Sequence, residues 1–169
     1  HSRRVEHYVE RIAEKMKFSP SRMESIKVAA ILHDIGKIGI KDSILGKPGL
    51  LTNDERIEVQ QHPQIGIRIL DEASLSSHIR DTIMHHHEQY NGGGYPDKLK
   101  RDEVPLDAYI IGAVDAYDAM TSDRPYRKAL PKEKAITILK EEKGKQFHPK
   151  VVDVLISILE QEEINEVLK

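Results

Sequence analysis

Apolar residues recur along the chain at the spacing of helices rather than strands. Val5, Tyr8, Val9, Ile12, Ala13 and Met16 fall on one face of a 3.6-residue period, so the first stretch reads as an amphipathic helix. Ser19-Pro20-Ser21 punctuates it, and a second helix carries Met23, Ile26, Ala30 and His33 on one face before Gly36 ends it. Residues 38–51 contain Gly39, Gly46, Pro48 and Gly49 and read as a connecting loop. Thr52 and Glu55 have the spacing of a capping box, which starts another helix. That helix is expected to break near His62-Pro63, because Pro63 suits the first turn of a new segment through Ile65, Ile69 and Leu70. A further helix is expected from about Ser77 to His86 or His87, followed by a glycine-dense loop over 91–96. Pro105 opens a helix through Ile111 and Asp118, and two more are expected over about 131–142 and about 149–163. No segment alternates with the period of a strand, so the expected fold class is all-α.

Composition narrows the field. At 169 residues the chain suits a single domain, 1–169, with no repeat or linker dividing it. Charged residues make up 32% against 38% hydrophobic, as helices with solvated outer faces require. A net charge of -2 gives no field for a nucleic-acid polymer or an anionic membrane surface. Apolar runs such as 28–32 are far too short for a membrane span. The absence of cysteine excludes disulfides and thiolate metal sites, and is compatible with a cytoplasmic location. The sequence opens on His1 with neither a signal segment nor an initiator Met, as expected of a module excised from a longer multidomain protein.

Nine unevenly placed histidines are the unusual feature. His33-Asp34 combines an imidazole nitrogen with a carboxylate oxygen, a donor set suited to borderline divalent metals. Taken alone the pair could equally be a histidine hydrogen-bonded at a helix end. Other candidates fall on inward faces: His1 one turn before Val5, His62 on the face of Ile65 and Ile69, Asp115 and Asp118 on the face of Ile111. An inward carboxylate needs a compensating partner, and a metal is the strongest available. The triplet His85-His86-His87 divides by geometry. Counting from Ile83, His86 and His87 lie at about 300° and about 400°, flanking the apolar direction, whereas His85 at about 200° points away.

Taken together, His33-Asp34-Ile35-Gly36-Lys37, His86-His87-Glu88, and Asn91-Gly92-Gly93-Gly94-Tyr95-Pro96 resemble the signature of the HD-GYP family within the HD phosphohydrolase superfamily. The likeness continues through 115–121 and Arg124-Pro125-Tyr126-Arg127 to Phe147-His148-Pro149, in order and over nearly the whole chain. It implies a compact helical bundle with a metal cluster in its core, and hydrolysis of cyclic di-GMP to pGpG and often on to GMP. Two or three divalent ions, iron first and manganese as the alternative, are implied as cofactors. By the same resemblance His1, His33, Asp34, His62, His86, His87 and Asp115 are metal ligands. Asp34 would bridge two ions, with a metal-bridging hydroxide attacking phosphorus and Lys37 contacting it or the scissile phosphate. Gly94, Tyr95 and Pro96 hold the dinucleotide, Asp118 orients a ligand or pairs with a base, and Arg124 and Arg127 grip its phosphates.

Two departures stand out: Asn91 replaces the usual aspartate, and Gly93 the usual Ser or Thr. Neither is a metal ligand, and the loop is expected to survive. His7, His78, His85 and His148 are assigned surface or structural roles. The resemblance also implies an upstream sensor or receiver domain, diguanylate cyclase (GGDEF) partners, and a place as the cytoplasmic domain of a larger signalling protein. The competing functions are a general HD nucleotide phosphohydrolase and a non-catalytic cyclic-dinucleotide sensing module. The first predicts the His-Asp ligands but neither the Gly-Tyr-Pro loop nor the Arg-Pro-Tyr-Arg block. The second usually goes with lost ligands.

Overall fold

The computed structural model describes residues 1–123 and 128–167. Helices α1 (Ser2–Lys15) and α2 (Pro20–Leu32) pack on each other as the opening pair, and Ser19 caps α2 by accepting from the Arg22 backbone N–H. A 3₁₀ turn, Ile35–Gly39, and a four-residue helix α3 (Asp42–Leu45) follow. Helix α4 (Asn53–Val59) starts on the complete Thr52–Glu55 capping box, and α5 (His62–Ile69) begins with Pro63 in its first turn. Helix α6 (Ser77–His85) leads into the glycine loop, and a 3₁₀ turn at Arg101–Glu103 precedes α7 (Leu106–Thr121). The chain continues with α8 (Lys132–Glu141) and α9 (Pro149–Val167).

The expected all-α class is what the described residues show, an isolated bridge between Lys143 and Phe147 being the nearest approach to a strand. One expectation needs correcting. Residues 38–51 are not merely a loop, because Asp42 to Leu45 close a helical turn with buried Ile44 anchored beneath it. The stretch is too short to register as a periodic pattern.

Helix α7 is the hub. It packs on α1, α6, α8 and α9, while α2 bridges α1 and α6. The shared core is made by Val5, Val9 and Ile12 of α1, Ile26 of α2, Ile83 of α6, Ile110, Ile111 and Val114 of α7, and Leu155 and Leu159 of α9. Each such side chain contributes about 1.5–3 kcal/mol through burial. Buried Asp107 ties three helices at the far side, meeting Arg22 of α2 at 2.6 Å and His78 of α6 at 2.7 Å. His78 is therefore structural, as expected. No helix among the described residues is long and apolar enough to cross a membrane.

Candidate metal centre

The α2–α5 junction creates the site. Gly36 sits so close to the first turn of α5 that a Cβ there would collide with the His62 carbonyl, so glycine alone permits the approach. This contact brings the end of α2, carrying His33 and Asp34, against the beginning of α5, carrying His62. The C-terminal end of α6 closes a third side with His86 and His87, and α7 and His1 close the fourth.

Two groups of donor atoms result, each lying within 4.8 Å of one another: Asp34, His62, His86 and His87 in one, His1, His33 and Asp115 in the other. Asp34 faces both. Its Oδ1 lies 3.5 Å from His62 Nε2, while its Oδ2 lies 3.6 Å from both His1 Nε2 and His33 Nε2. Asp115 Oδ1 reaches His1 Nε2 at 3.3 Å. All seven ligand positions inferred from the sequence are thus brought together.

Local backbone geometry sets the imidazole tautomers. His33, His62 and His86 each donate Nδ1–H to the carbonyl three residues earlier, on Ala30 (2.6 Å), Val59 (2.8 Å) and Ile83 (2.7 Å). Each Nε2 is left as a bare lone pair turned inward. The Nε2 atoms of His62 and His86 then face each other at 3.4 Å, with both protons already committed elsewhere. His33 Nε2 and Asp34 Oδ1 are buried without any hydrogen-bond partner. Opposed lone pairs and orphaned buried acceptors are destabilising unless a cation stands among them, and the nitrogen and oxygen set suits a borderline divalent metal. The residues fit a metal centre.

Protonation supports the same arrangement. Burial, reinforced by neighbouring histidines, depresses His86 well below its usual range and lowers His87 to about 3; burial likewise lowers His62. All three are therefore neutral and able to ligate at physiological pH. Burial works to raise Asp34, but His1, His33 and Lys37 outweigh it and hold the carboxylate ionised far below its usual range. His1 is raised, chiefly by Asp34 against its own burial, with help from Asp118 and Asp115.

Around the donors stands a set of positioning contacts. Asp118, buried on α7, takes His1 Nδ1 at 2.7 Å and Arg4 Nε at 2.5 Å, which turns His1 Nε2 toward Asp34 and Asp115. Lys37 Nζ lies 2.6 Å from Asp34 Oδ2. Tyr95 stacks on His87 with ring centroids 4.8 Å apart, and burial with nearby Asp115 and Asp34 keeps its hydroxyl protonated well above neutral pH. Beneath the loop, a Cβ on Gly94 would strike the backbone of residues 87–89, so this glycine lets the loop lie directly on the ligand-bearing segment. Asn91 Oδ1 accepts from Gly93 N at 2.9 Å, doing the turn-forming work an aspartate would do.

Sequence reasoning did not reach everything here. Glu88 appeared only as a motif letter, yet its buried carboxylate accepts from the Asp97 backbone at 2.7 Å and clamps the far end of the Gly-Tyr-Pro loop. Arg4, which braces Asp118, carried no signal except its spacing on the first helix. His62 is buried as expected, but Ile69 is 47% exposed rather than inward, because the buried residues of α5 are His62, Pro63 and Gly66, with His62 and Gly66 against Gly36. Helix α6 ends at His85, with His86 as its cap in near-helical geometry, so the register holds just far enough. His85 stays outside the cluster and meets Asp97 at 3.0 Å. His7 packs on Tyr8, and His148 packs between Tyr90 and Tyr109. Arg124 and Arg127 lie outside the described residues.

Known proteins resemble this chain in sequence and fold. The HD domain family matches residues 1–151. A cyclic di-GMP phosphodiesterase of Thermotoga maritima is 41% identical over 174 residues, covering 100% of this chain and 46% of that protein. The cyclic di-GMP phosphodiesterase response regulator RpfG of Xanthomonas campestris is 40% identical over 156 residues, covering 90% of this chain and 41% of its own length. The chain thus spans less than half of either relative. A solved structure of cyclic GMP-AMP-specific phosphodiesterases of Vibrio cholerae (V-cGAP3) superposes with a TM-score of 0.77, covering 100% of this chain and 46% of the other. At 19% identity that likeness is one of fold, a helical bundle. By the family match and the motif blocks together, this chain belongs to the HD domain family and, within it, to the HD-GYP type.

Proposed function

We propose that this chain is a metal-dependent phosphodiesterase that hydrolyses cyclic di-GMP to pGpG. One observation carries the reading: the two oxygens of Asp34 are divided between two donor groups, Oδ1 toward His62 and Oδ2 toward His1 and His33. A carboxylate so placed can join two cations. His62, His86 and His87 would hold one ion with Asp34; His1, His33 and Asp115 would hold the other. Iron is the proposed metal and manganese the alternative, since imidazole and carboxylate without thiolate suit both. When bound, such ions act as Lewis acids on a phosphodiester and lower the pKa of a shared water toward neutrality.

The chain's own residues prepare and hold the substrate. Lys37, beside Asp34, is positioned to move its ammonium to a phosphate oxygen. Tyr95 offers a flat ring and a protonated hydroxyl beside the donors, on a loop that Glu88 and Gly94 keep close. Asp118 holds His1 and, through Arg4, its own charge in place. Arg124 and Arg127 are proposed as a guanidinium clamp on the substrate phosphates. The full set of donors favours catalysis over passive sensing. We further propose that the chain is one catalytic domain of a longer cytoplasmic signalling protein, with a sensor or receiver domain upstream and diguanylate cyclases as functional partners.

The test is an anaerobic preparation analysed for metal and assayed by chromatography against cyclic di-GMP and 3',3'-cyclic GMP-AMP. Metal-dependent release of pGpG, with cyclic di-GMP the better substrate, is expected. Release of pGpG that persists after the metal is stripped would overturn the reading.

A further inference from the structure

We infer that the groove beside Lys37 is a base subsite that takes one guanine of the cyclic dinucleotide; this inference rests on the substrate proposed above. The groove has a volume of about 380 Å³, within the usual range for small-ligand sites of roughly 300–1,000 Å³. Ile44, Leu45, Leu50, Leu51 and Val59 supply apolar walls, and Lys37, Lys47 and Arg56 also line it. Lys37 lines the groove and also meets Asp34, so one residue links the groove to the candidate metal centre. The separate cavity of about 210 Å³ beside His86, His87 and Asp115 belongs to that centre itself.

Charge and shape choose the occupant. Leu50 is 91% exposed and Leu45 42% exposed, so apolar surface is presented to solvent where a flat ring could cover it. Lys47 is engaged by Glu55 at 2.6 Å and Lys37 by Asp34, and the first of these pairs ties the groove wall to α4. The Arg56 guanidinium, on the exposed side of α4, has no hydrogen bond or ion pair with any described residue. Guanine presents O6 and N7 on one edge, two acceptors that a guanidinium meets in a bidentate pair. Adenine places an amino donor where O6 would be, so Arg56 discriminates against it. The apolar walls hold the ring, Arg56 reads its edge, and Lys37 marks the end where the phosphate joins the metal site.

The test compares the metal-loaded chain with Arg56→Ala and Leu50→Ser, both exposed positions whose loss leaves the core intact. Each is assayed on cyclic di-GMP and on bis(p-nitrophenyl) phosphate, a diester without bases. KM for cyclic di-GMP should rise about tenfold with kcat within about twofold, while cleavage of the nitrophenyl ester stays at the wild-type rate. Arg56→Ala should also narrow the preference for cyclic di-GMP over cyclic di-AMP. Unchanged KM in both variants, or an equal fall on both substrates, would overturn the subsite. A wild-type chain that cleaves the nitrophenyl ester but not cyclic di-GMP would instead refute the proposed substrate. Equilibrium dialysis of labelled cyclic di-GMP then reads the groove by itself: weaker binding in Arg56→Ala than in wild type supports it, and equal binding or none overturns it.

Discussion

Replacing His86 with alanine tests the register on which the donor set depends. His86 is 1% exposed, its Nδ1 is committed to the Ile83 carbonyl, and its Nε2 stands 3.4 Å from that of His62. Removing it takes away one of four donors at a position solvent cannot easily refill. Altering groups that merely orient ligands costs about 10–100-fold in metal affinity, so loss of a donor itself should cost at least about 100-fold, or roughly 2.7 kcal/mol. The fold should persist, because the surrounding core of α6 and α7 is unchanged. His85→Ala removes an imidazole that meets only the Asp81 carbonyl and the exposed Asp97, and should leave metal content and turnover near wild type. Metal titration by equilibrium dialysis, with turnover of cyclic di-GMP measured on the same samples, reads both variants. A dead His85→Ala beside an active, metal-replete His86→Ala would show the register to be wrong by one residue.

Further outcomes follow from the positioning residues and from protonation. Asp118→Asn keeps its shape but loses the charge shared by His1 and Arg4, so metal affinity should fall about 10–100-fold without vanishing; unchanged affinity would reduce Asp118 to packing. Replacing Arg124 and Arg127 with Ala should raise KM for the dinucleotide far more than it lowers metal content, and unchanged kinetics would make them ordinary surface cations. In the metal-free chain, burial holds His62, His86 and His87 neutral, whereas the unfolded chain protonates its histidines near 6.5. The unfolded state then binds more protons below that pH, and stability falls as pH drops, with His87 alone losing on the order of 2 kcal/mol by pH 5. His148 is lowered by burial as well and adds to the same trend, whereas His1 acts with the opposite sign, since its raised pKa contributes stability below 6.5 that is lost at higher pH; the net is four histidines against one. Urea unfolding of chelator-treated protein at pH 7 and pH 5 measures the difference, and a higher midpoint at pH 5 would contradict it.

How much of this was legible in the sequence depended on whether the signal was local. The donors sit on periodic helices, so His33, His62, His86 and Asp115 could be placed inward from their apolar neighbours. A bridging Asp34 was reached only through the family resemblance; no local spacing gives the division of its oxygens, because it arises from the close approach of Gly36 to α5, a contact between segments. Glu88 and Arg4 act through partners nine and over a hundred residues away, Asp97 and Asp118, and no spacing rule reaches such pairs. Asp107 went unremarked for the same reason: its partners, Arg22 and His78, lie on two other helices. Ile69 was misplaced because an eight-residue helix carries too few turns to fix its inner face, and its buried residues are His62, Pro63 and Gly66 instead. The groove beside Lys37 was hidden because residues 38–51 read as a loop, yet their short helix and the Lys47–Glu55 pair give it a defined wall.

The central claim is that Asp34 joins two metal ions through its two oxygens. Metal counted per chain by elemental analysis, in anaerobically prepared wild type and Asp34→Ala, tests it most directly when turnover of cyclic di-GMP is measured on the same samples. At least two ions per chain and active turnover are expected in wild type, with both lost in Asp34→Ala because neither donor group keeps its shared member. Full metal stoichiometry and normal turnover in Asp34→Ala would contradict the account.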